Sequence, residues 1–278
     1  MPNQIVSKDQ QRPPLICTIP HSGEKIPDLT PWLRGLPEEI LMCDIDRYVD
    51  LLYAPILSEL QVPHIKTDWH RYAVDLNRVP TDIDESSVVG ATEKAGVYAR
   101  GYHWVHTTLK QKLMPQPMSM ESHQQLTKLI YEPFHTEVKN LFTQEKARGF
   151  QQVYHIDLHS MPSLGTAEHR DPGEWRADIV ISDSKGKSCS KEFLDLVLLS
   201  YIKAGFKVAY NWPYYGGRLT EQYGDPAKGQ QTIQVELNRK LYMDEKSKKL
   251  NTEKLKTIQT QLGQALRSVF EGLQSKIT

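Results

Sequence analysis

Apolar and polar positions change period repeatedly along this chain, and the changes mark out its elements. Residues 15–20, LICTIP, are a short apolar run closed by proline, which reads as a buried strand. Residues 37–60 carry Leu41, Ile45, Val49, Leu52, Ile56 and Leu60 at helical spacing. The stretches 62–67 and 71–77 read as strands, and 79–98 is polar and aperiodic, a loop long enough to suggest a functional role or disorder. Residues 124–150 read as helix, kinked or divided at Pro133. Strands are then expected at 152–160 and 177–183, a helix at 190–205 stopped by Gly205, and a strand at 206–211. A glycine-rich loop follows at 213–229, a cleanly alternating strand at 231–239 and an amphipathic helix at 251–275. Strands that alternate with helices predict one α/β domain over residues 1–278, with a mainly parallel sheet covered on both faces. Ligand sites in such sheets lie beyond the carboxyl ends of the strands.

Composition narrows the class. Thirty-four basic residues balance 34 acidic ones in 278, so no global excess of positive charge marks a nucleic acid or an anionic membrane as partner. No apolar run approaches the roughly 20 residues that cross a bilayer, and the start MPNQIVSKDQ lacks the apolar core of a signal peptide. Cys17, Cys43 and Cys189 are far apart and odd in number, which favours a reducing compartment over a disulfide framework. A cytoplasmic protein is expected.

The chemistry begins at the end of the first strand. His21-Ser22-Gly23-Glu24 is an H-x-x-E pair that reads either as half of a metal site or as a polar loop. An imidazole and a carboxylate are both good zinc ligands, and a catalytic zinc takes three protein ligands and keeps a position open. Among ten histidines, His155 and His159 lie on one predicted strand, about 13 Å apart along it. His159 ends that strand and is the better third ligand; His155 sits within it. The remaining histidines, at 64, 70, 103, 106, 123, 135 and 169, read as surface or structural residues.

In the strand 231–239, Ile233, Val235 and Leu237 share one face, and Thr232, Gln234, Glu236 and Asn238 share the other. Glu236 is a candidate general base, or part of the solvated face of an edge strand. Arg71 and Arg78 flank Asp75 and are candidates to hold a carboxylate or polarise a carbonyl; surface arginines are the alternative. Gly216-Gly217-Arg218 brings either a third arginine to a ligand or a turn.

Taken in order, PHSGEKIP, DIDRYVDLLY, DLNR, YHIDLHSMPS, GGRLTEQYG and QTIQVELNRKLYMDE resemble the N-formylglutamate amidohydrolase family, a relative of the zinc carboxypeptidases and aspartoacylases. The similarity runs from about residue 14 to about residue 245. It implies a three-layer α/β/α sandwich with a mixed, mainly parallel sheet, and one zinc per chain on His21, Glu24 and His159. It implies Glu236 as the general base, Asn77 and Arg78 on the substrate carboxylate, and Arg71 on the carbonyl oxygen. The implied reaction is hydrolysis of N-formyl-L-glutamate to formate and glutamate, late in histidine breakdown. Arg218 stands where many relatives carry an aromatic residue, and either adds a carboxylate anchor or marks a different acyl amino acid. Another N-acyl amino-acid deacylase or peptidase on the same scaffold, and a non-catalytic metal- or ligand-binding homologue, are the alternatives.

Overall fold

The structure, a computed structural model, describes residues 12–276. The polar start of the chain and the outer limits of the 1–278 domain reading lie outside those residues. In chain order the regular elements are β1 (Leu15–Ile19), α1 (Glu38–Leu41), α2 (Val49–Glu59), β2 (His64–Lys66), α3 (Met120–Leu126), α4 (Glu132–Ala147), β3 (Val153–Met161), β4 (Ile179–Ser182), α5 (Lys191–Lys203), β5 (Val208–Tyr210), α6 (Arg218–Tyr223), β6 (Gln230–Asn238), β7 (Met243–Asp244), β8 (Lys249–Leu250) and α7 (Thr252–Gln274). Six strands form one mixed sheet in the order β2-β1-β3-β6-β4-β5. The first four run parallel; β4 is antiparallel to β6 and parallel to β5. β7 and β8 form a separate small hairpin.

The faces of this sheet are chemically unlike. Leu15, Cys17 and Ile19 of β1, Ile156 and Leu158 of β3, and Ile233, Val235 and Leu237 of β6 project into a core closed by α2, α5 and α7. On the other face, His155, Asp157 and His159 of β3 lie in register with Thr232, Gln234 and Glu236 of β6. Thr18 of β1 stands opposite Asp157. Ile16 and Val153 on this side join a second core with α4 and α6 through Phe134, Val138, Phe142, Leu219 and Tyr223. The three-layer arrangement therefore has an apolar side and a side whose centre is polar and buried. β6 is central rather than an edge strand, so its alternation records the two faces and not exposure to water.

Three local expectations change. The helix 37–60 is broken: α1 stops at Leu41 and α2 starts at Val49 after Tyr48 in a left-handed conformation (φ 73°). The intervening turn buries Asp44 and Asp46, carboxylates that a continuous helix would not direct to the partners they reach here. Residues 71–77 pair with no strand; their apolar side chains fill cores while the backbone turns through Ala73 N–H to His70 O and Arg78 N–H to Asp75 O. Pro133 falls where the helix is divided, as expected: a π-helical stretch, Thr127–Tyr131, separates α3 from α4, and the proline is the second residue of α4. Within the predicted glycine-rich loop, α6 forms from Arg218 to Tyr223. The stretch 79–98 has no regular element, yet it sends Val88 and Ala91 into the second core.

Gly205 (φ 93°) follows the last turn of α5, as its position predicts. No helix among the described residues is long and apolar enough to cross a membrane. Leu262 of α7 is fully buried in the first core. Leu262→Ala is expected to lower unfolding stability by about 2–5 kcal/mol, read as a lower urea midpoint; an unchanged midpoint would show that α7 contributes little to the core.

Candidate functional site

The carboxyl ends of β1, β3 and β6 open into one cavity of about 320 Å³. At its floor, His21, Asp46 and His159 bring one ligand atom each within 4.8 Å of one another, all three residues buried. His21 enters directly after β1 and His159 is the seventh residue of β3. Asp46 comes from the turn between α1 and α2, where its N–H donates to the His21 carbonyl at 2.9 Å and ties the two segments together.

The geometry assigns the facing atoms. Asp46 Oδ2 lies 3.0 Å from His159 Nδ1 and 3.5 Å from His21 Nδ1. His21 Nδ1 is buried without a hydrogen-bond partner. Each ring is held from behind at its other nitrogen. His21 Nε2 meets Asp75 Oδ1 at 2.7 Å, and His159 Nε2 meets Asp157 Oδ2 at 2.6 Å. Carboxylates behind imidazoles orient histidine ligands and raise their basicity in metal sites. Asp75 is itself fixed by Trp104 Nε1–H, by the Arg71 guanidinium and by the Asn77 backbone N–H. Asp46 Oδ1 accepts from Arg239 and Ser160, leaving Oδ2 for the two rings.

The electrostatics call for positive charge at the floor. Burial acts to raise the Asp46 carboxyl, but the hydrogen bond from His159 and the charge of His159 and nearby His21 outweigh it and hold the group well below the usual carboxylate range. Burial is likewise outweighed at Asp75, chiefly by Arg71 and His21, and at Asp157 by His159. His159 is driven well above its ordinary value against burial, first by Asp157 and then by Asp46 and Glu236. Two imidazole nitrogens and a carboxylate oxygen, one nitrogen unpartnered and buried, form a donor set that fits a divalent metal ion such as zinc.

Glu236 stands beside this group because β3 and β6 pair in register, His159 opposite Glu236. Its Oε1 accepts from Gln234 Nε2 at 2.7 Å, and burial, reinforced by Asp46, raises its carboxyl against the pull of His159, Arg239 and Arg71. Gln234 Oε1 in turn accepts from Gly217 N–H at 2.8 Å, which docks the glycine loop against Gln234 and, through it, Glu236.

The other predicted site residues separate. Arg71 lines the cavity, stacked on Trp104, with one nitrogen on Asp75 and another on the Asp44 carbonyl. Arg78 also lines it, donating from Nε to the Arg100 carbonyl. Asn77 reaches the wall, and its Oδ1 accepts from Leu219 N–H, so it positions the start of α6. Arg218 lies outside the cavity, pairs with Glu221 and is 44% exposed.

Glu24 is not in the group: its side chain is 41% exposed and binds Arg47 Nε at 2.7 Å. The chain turns outward after His21, and Asp46 supplies the carboxylate that Glu24 was expected to supply. Gly23 serves a different purpose from the one its place in H-x-x-E suggests. A Cβ there would sit 2.4 Å from the Asp68 carbonyl carbon, so glycine permits close backbone approach rather than folding Glu24 inward. Sequence reading passed over Asp46, Asp75 as a partner of His21, Asp157 and Arg239. The D-x-D of DIDRYVD, acids interrupting an apolar helical period, was the available signal for Asp46.

With this geometry in place, known proteins give the class. A model of the N-formylglutamate amidohydrolase family matches residues 13–243. An N-formylglutamate deformylase of Pseudomonas putida is 27% identical over 246 residues, covering 87% of this chain and 86% of that protein. One from Pseudomonas aeruginosa is 27% identical over 254 residues, 88% of each. The crystal structure of N-formylglutamate amidohydrolase from Ralstonia eutropha superposes with a TM-score of 0.81 at 28% identity over 93% of both chains. A protein of Agrobacterium tumefaciens shares the fold at a TM-score of 0.66 and 17% identity over 94% of each chain. The fold is that of the α/β amidohydrolase structure from Ralstonia. The chain belongs to the N-formylglutamate amidohydrolase family.

Gly23→Ala is expected to cost about 1–3 kcal/mol of stability, since the added methyl meets backbone that cannot turn aside. Urea unfolding measures it, and an unchanged midpoint would contradict the close approach.

Proposed function

We propose that this chain is a metal-dependent amidohydrolase that hydrolyses N-acylated acidic amino acids, with N-formyl-L-glutamate the foremost substrate, giving formate and L-glutamate. The observation that carries the reading is the in-register placing of Glu236 beside His159, on the same cavity as His21, Asp46, Arg71 and Arg78. The names of the Pseudomonas and Ralstonia relatives support the substrate. The reading places the protein in histidine breakdown in the cytoplasm.

His21 Nδ1, Asp46 Oδ2 and His159 Nδ1 would hold one zinc ion, with Asp75 and Asp157 orienting the rings. When bound, the ion supplies Lewis acidity toward water and the amide carbonyl. Glu236, its carboxyl raised by burial, takes the proton of the attacking water and returns it to the leaving nitrogen. Arg71 has a buried Nε without a partner and steadies the carbonyl oxygen as it gains charge. Arg78 holds a substrate carboxylate, with Asn77 keeping the adjacent loop in place. Arg218, exposed and paired with Glu221, serves the outer rim at most.

Metal analysis of the purified protein, run with a formate-release assay on N-formyl-L-glutamate, tests this directly. About one zinc per chain and released formate are expected. Zinc without formate would move the substrate to another N-acyl amino acid or a peptide, and zinc without turnover on any of these would leave a binding protein. Asp46→Asn is expected to lose the metal while Glu24→Gln keeps it; the opposite pattern would restore H-x-x-E as the ligand pair. Glu236→Gln should keep zinc and lose about 10²–10⁴-fold in kcat, and full activity in that variant would remove the base. Arg78→Ala should raise KM for acidic substrates with kcat little changed, and an unchanged KM would remove the anchor.

A further inference from the structure

Behind the two histidines of the site the hydrogen bonding differs. The groups on Asp75 are obligate donors, the Trp104 indole N–H, a guanidinium N–H and a backbone N–H. They leave that carboxylate only one way to meet His21. Asp157 instead rests on a hydroxyl. Thr18 Oγ1 lies 2.6 Å from Asp157 Oδ1 and 2.9 Å from His155 Nε2. His155 Nδ1 lies 3.4 Å from Thr232 Oγ1. All four residues are fully buried.

A hydroxyl has one proton to give. A carboxylate oxygen accepts, so the Thr18 proton goes to Asp157 Oδ1. Thr18 must then accept from its other neighbour, which puts the single proton of neutral His155 on Nε2 and leaves Nδ1 to accept from Thr232. Burial holds His155 neutral, with its pKa lowered to about 4. The direction is thus set along the whole row: Thr232 to His155, His155 to Thr18, Thr18 to Asp157, and His159 Nε2–H to Asp157 Oδ2.

We infer that Thr18 and His155 are positioning residues that fix the orientation of Asp157 and so hold His159 with its proton on Nε2 and its Nδ1 turned to the site. This rests on the reading of His159 as a metal ligand. It gives the inner histidine of H-x-x-x-H a purpose without placing it on the metal. Without the Thr18 hydroxyl, Asp157 Oδ1 would be a buried carboxylate oxygen lacking its donor, free to rotate away from His159.

Two measurements test it. Long-range proton–nitrogen NMR of the metal-free protein, with the His155 signals assigned by their loss in His155→Gln, reads the ring tautomer directly. The Nε2–H form is expected, and a proton on Nδ1 would overturn the row's direction with no variant of Thr18 needed. Zinc titration against a competing chelator then compares Thr18→Val with Thr18→Ser. The valine isostere is expected to weaken binding about tenfold and the serine to restore it, with thermal unfolding run on both. A folded Thr18→Val with parental affinity, or a serine that restores nothing, would overturn the role. A parent protein with His155 in the expected tautomer but no affinity for a divalent ion would overturn the metal site, while the direction of the row would stand.

Discussion

The nine-residue parallel pairing of β3 with β6 is the constraint on which the site depends. Strand side chains alternate, so one register decides both faces at once. With Ile156, Leu158, Ile233 and Val235 committed to the core under α2, α5 and α7, the odd residues of β3 and the even residues of β6 must point the other way together. A slip of β6 by one residue would send Glu236 into the apolar core while His159 stayed on the polar face. The hydrophobic effect on one side of the sheet thereby aligns the polar groups on the other, without any attraction between those groups being required.

That polar face is stable only because its charges answer one another. Asp46, Asp75 and Asp157 are all buried, and each touches a histidine or an arginine. Arg239, itself almost wholly buried, reaches Asp46 Oδ1, Ser160 and the carbonyls of Cys43 and Asp44, which ties the end of β6 to the turn before α2. Removing one member leaves its partner charged and unpaired in a medium that solvates it poorly. The break in the helix 37–60 is part of this arrangement: the backbone gives up several helical hydrogen bonds so that Asp44 and Asp46 can face inward.

Much of this was legible in the chain itself. The short apolar runs located β1, β3, β4 and β6, because buried strands need little beyond β-branched and apolar residues in a row. His21, His159 and Glu236 were singled out because each falls near a strand's carboxyl end, and the structure brings all three to one cavity. The misreadings share one cause. H-x-x-E proposes a ligand by nearness in sequence, but the carboxylate that arrives, Asp46, is 25 positions from His21 and comes from a segment whose apolar period concealed it. The 71–77 stretch looked like a strand because it is a short, largely apolar run; Tyr72 to Leu76 are all buried, but by loops and not by pairing. Asn77 and Arg218 were read from motifs; Asn77 lies on the cavity wall close against Gly217, while Arg218 turns outward to Glu221.

The hydrogen bond from Gly217 to Gln234, and from Gln234 to Glu236, makes one mechanical unit of the cavity wall and the carboxylate beneath it. Any exchange of this loop between relatives, to admit a bulkier acyl group for instance, would also release the lever that orients Glu236. Pocket shape and the setting of Glu236 therefore come as a package: Asn77, Gly217 and Gln234 would have to travel with the loop for either to survive the transplant.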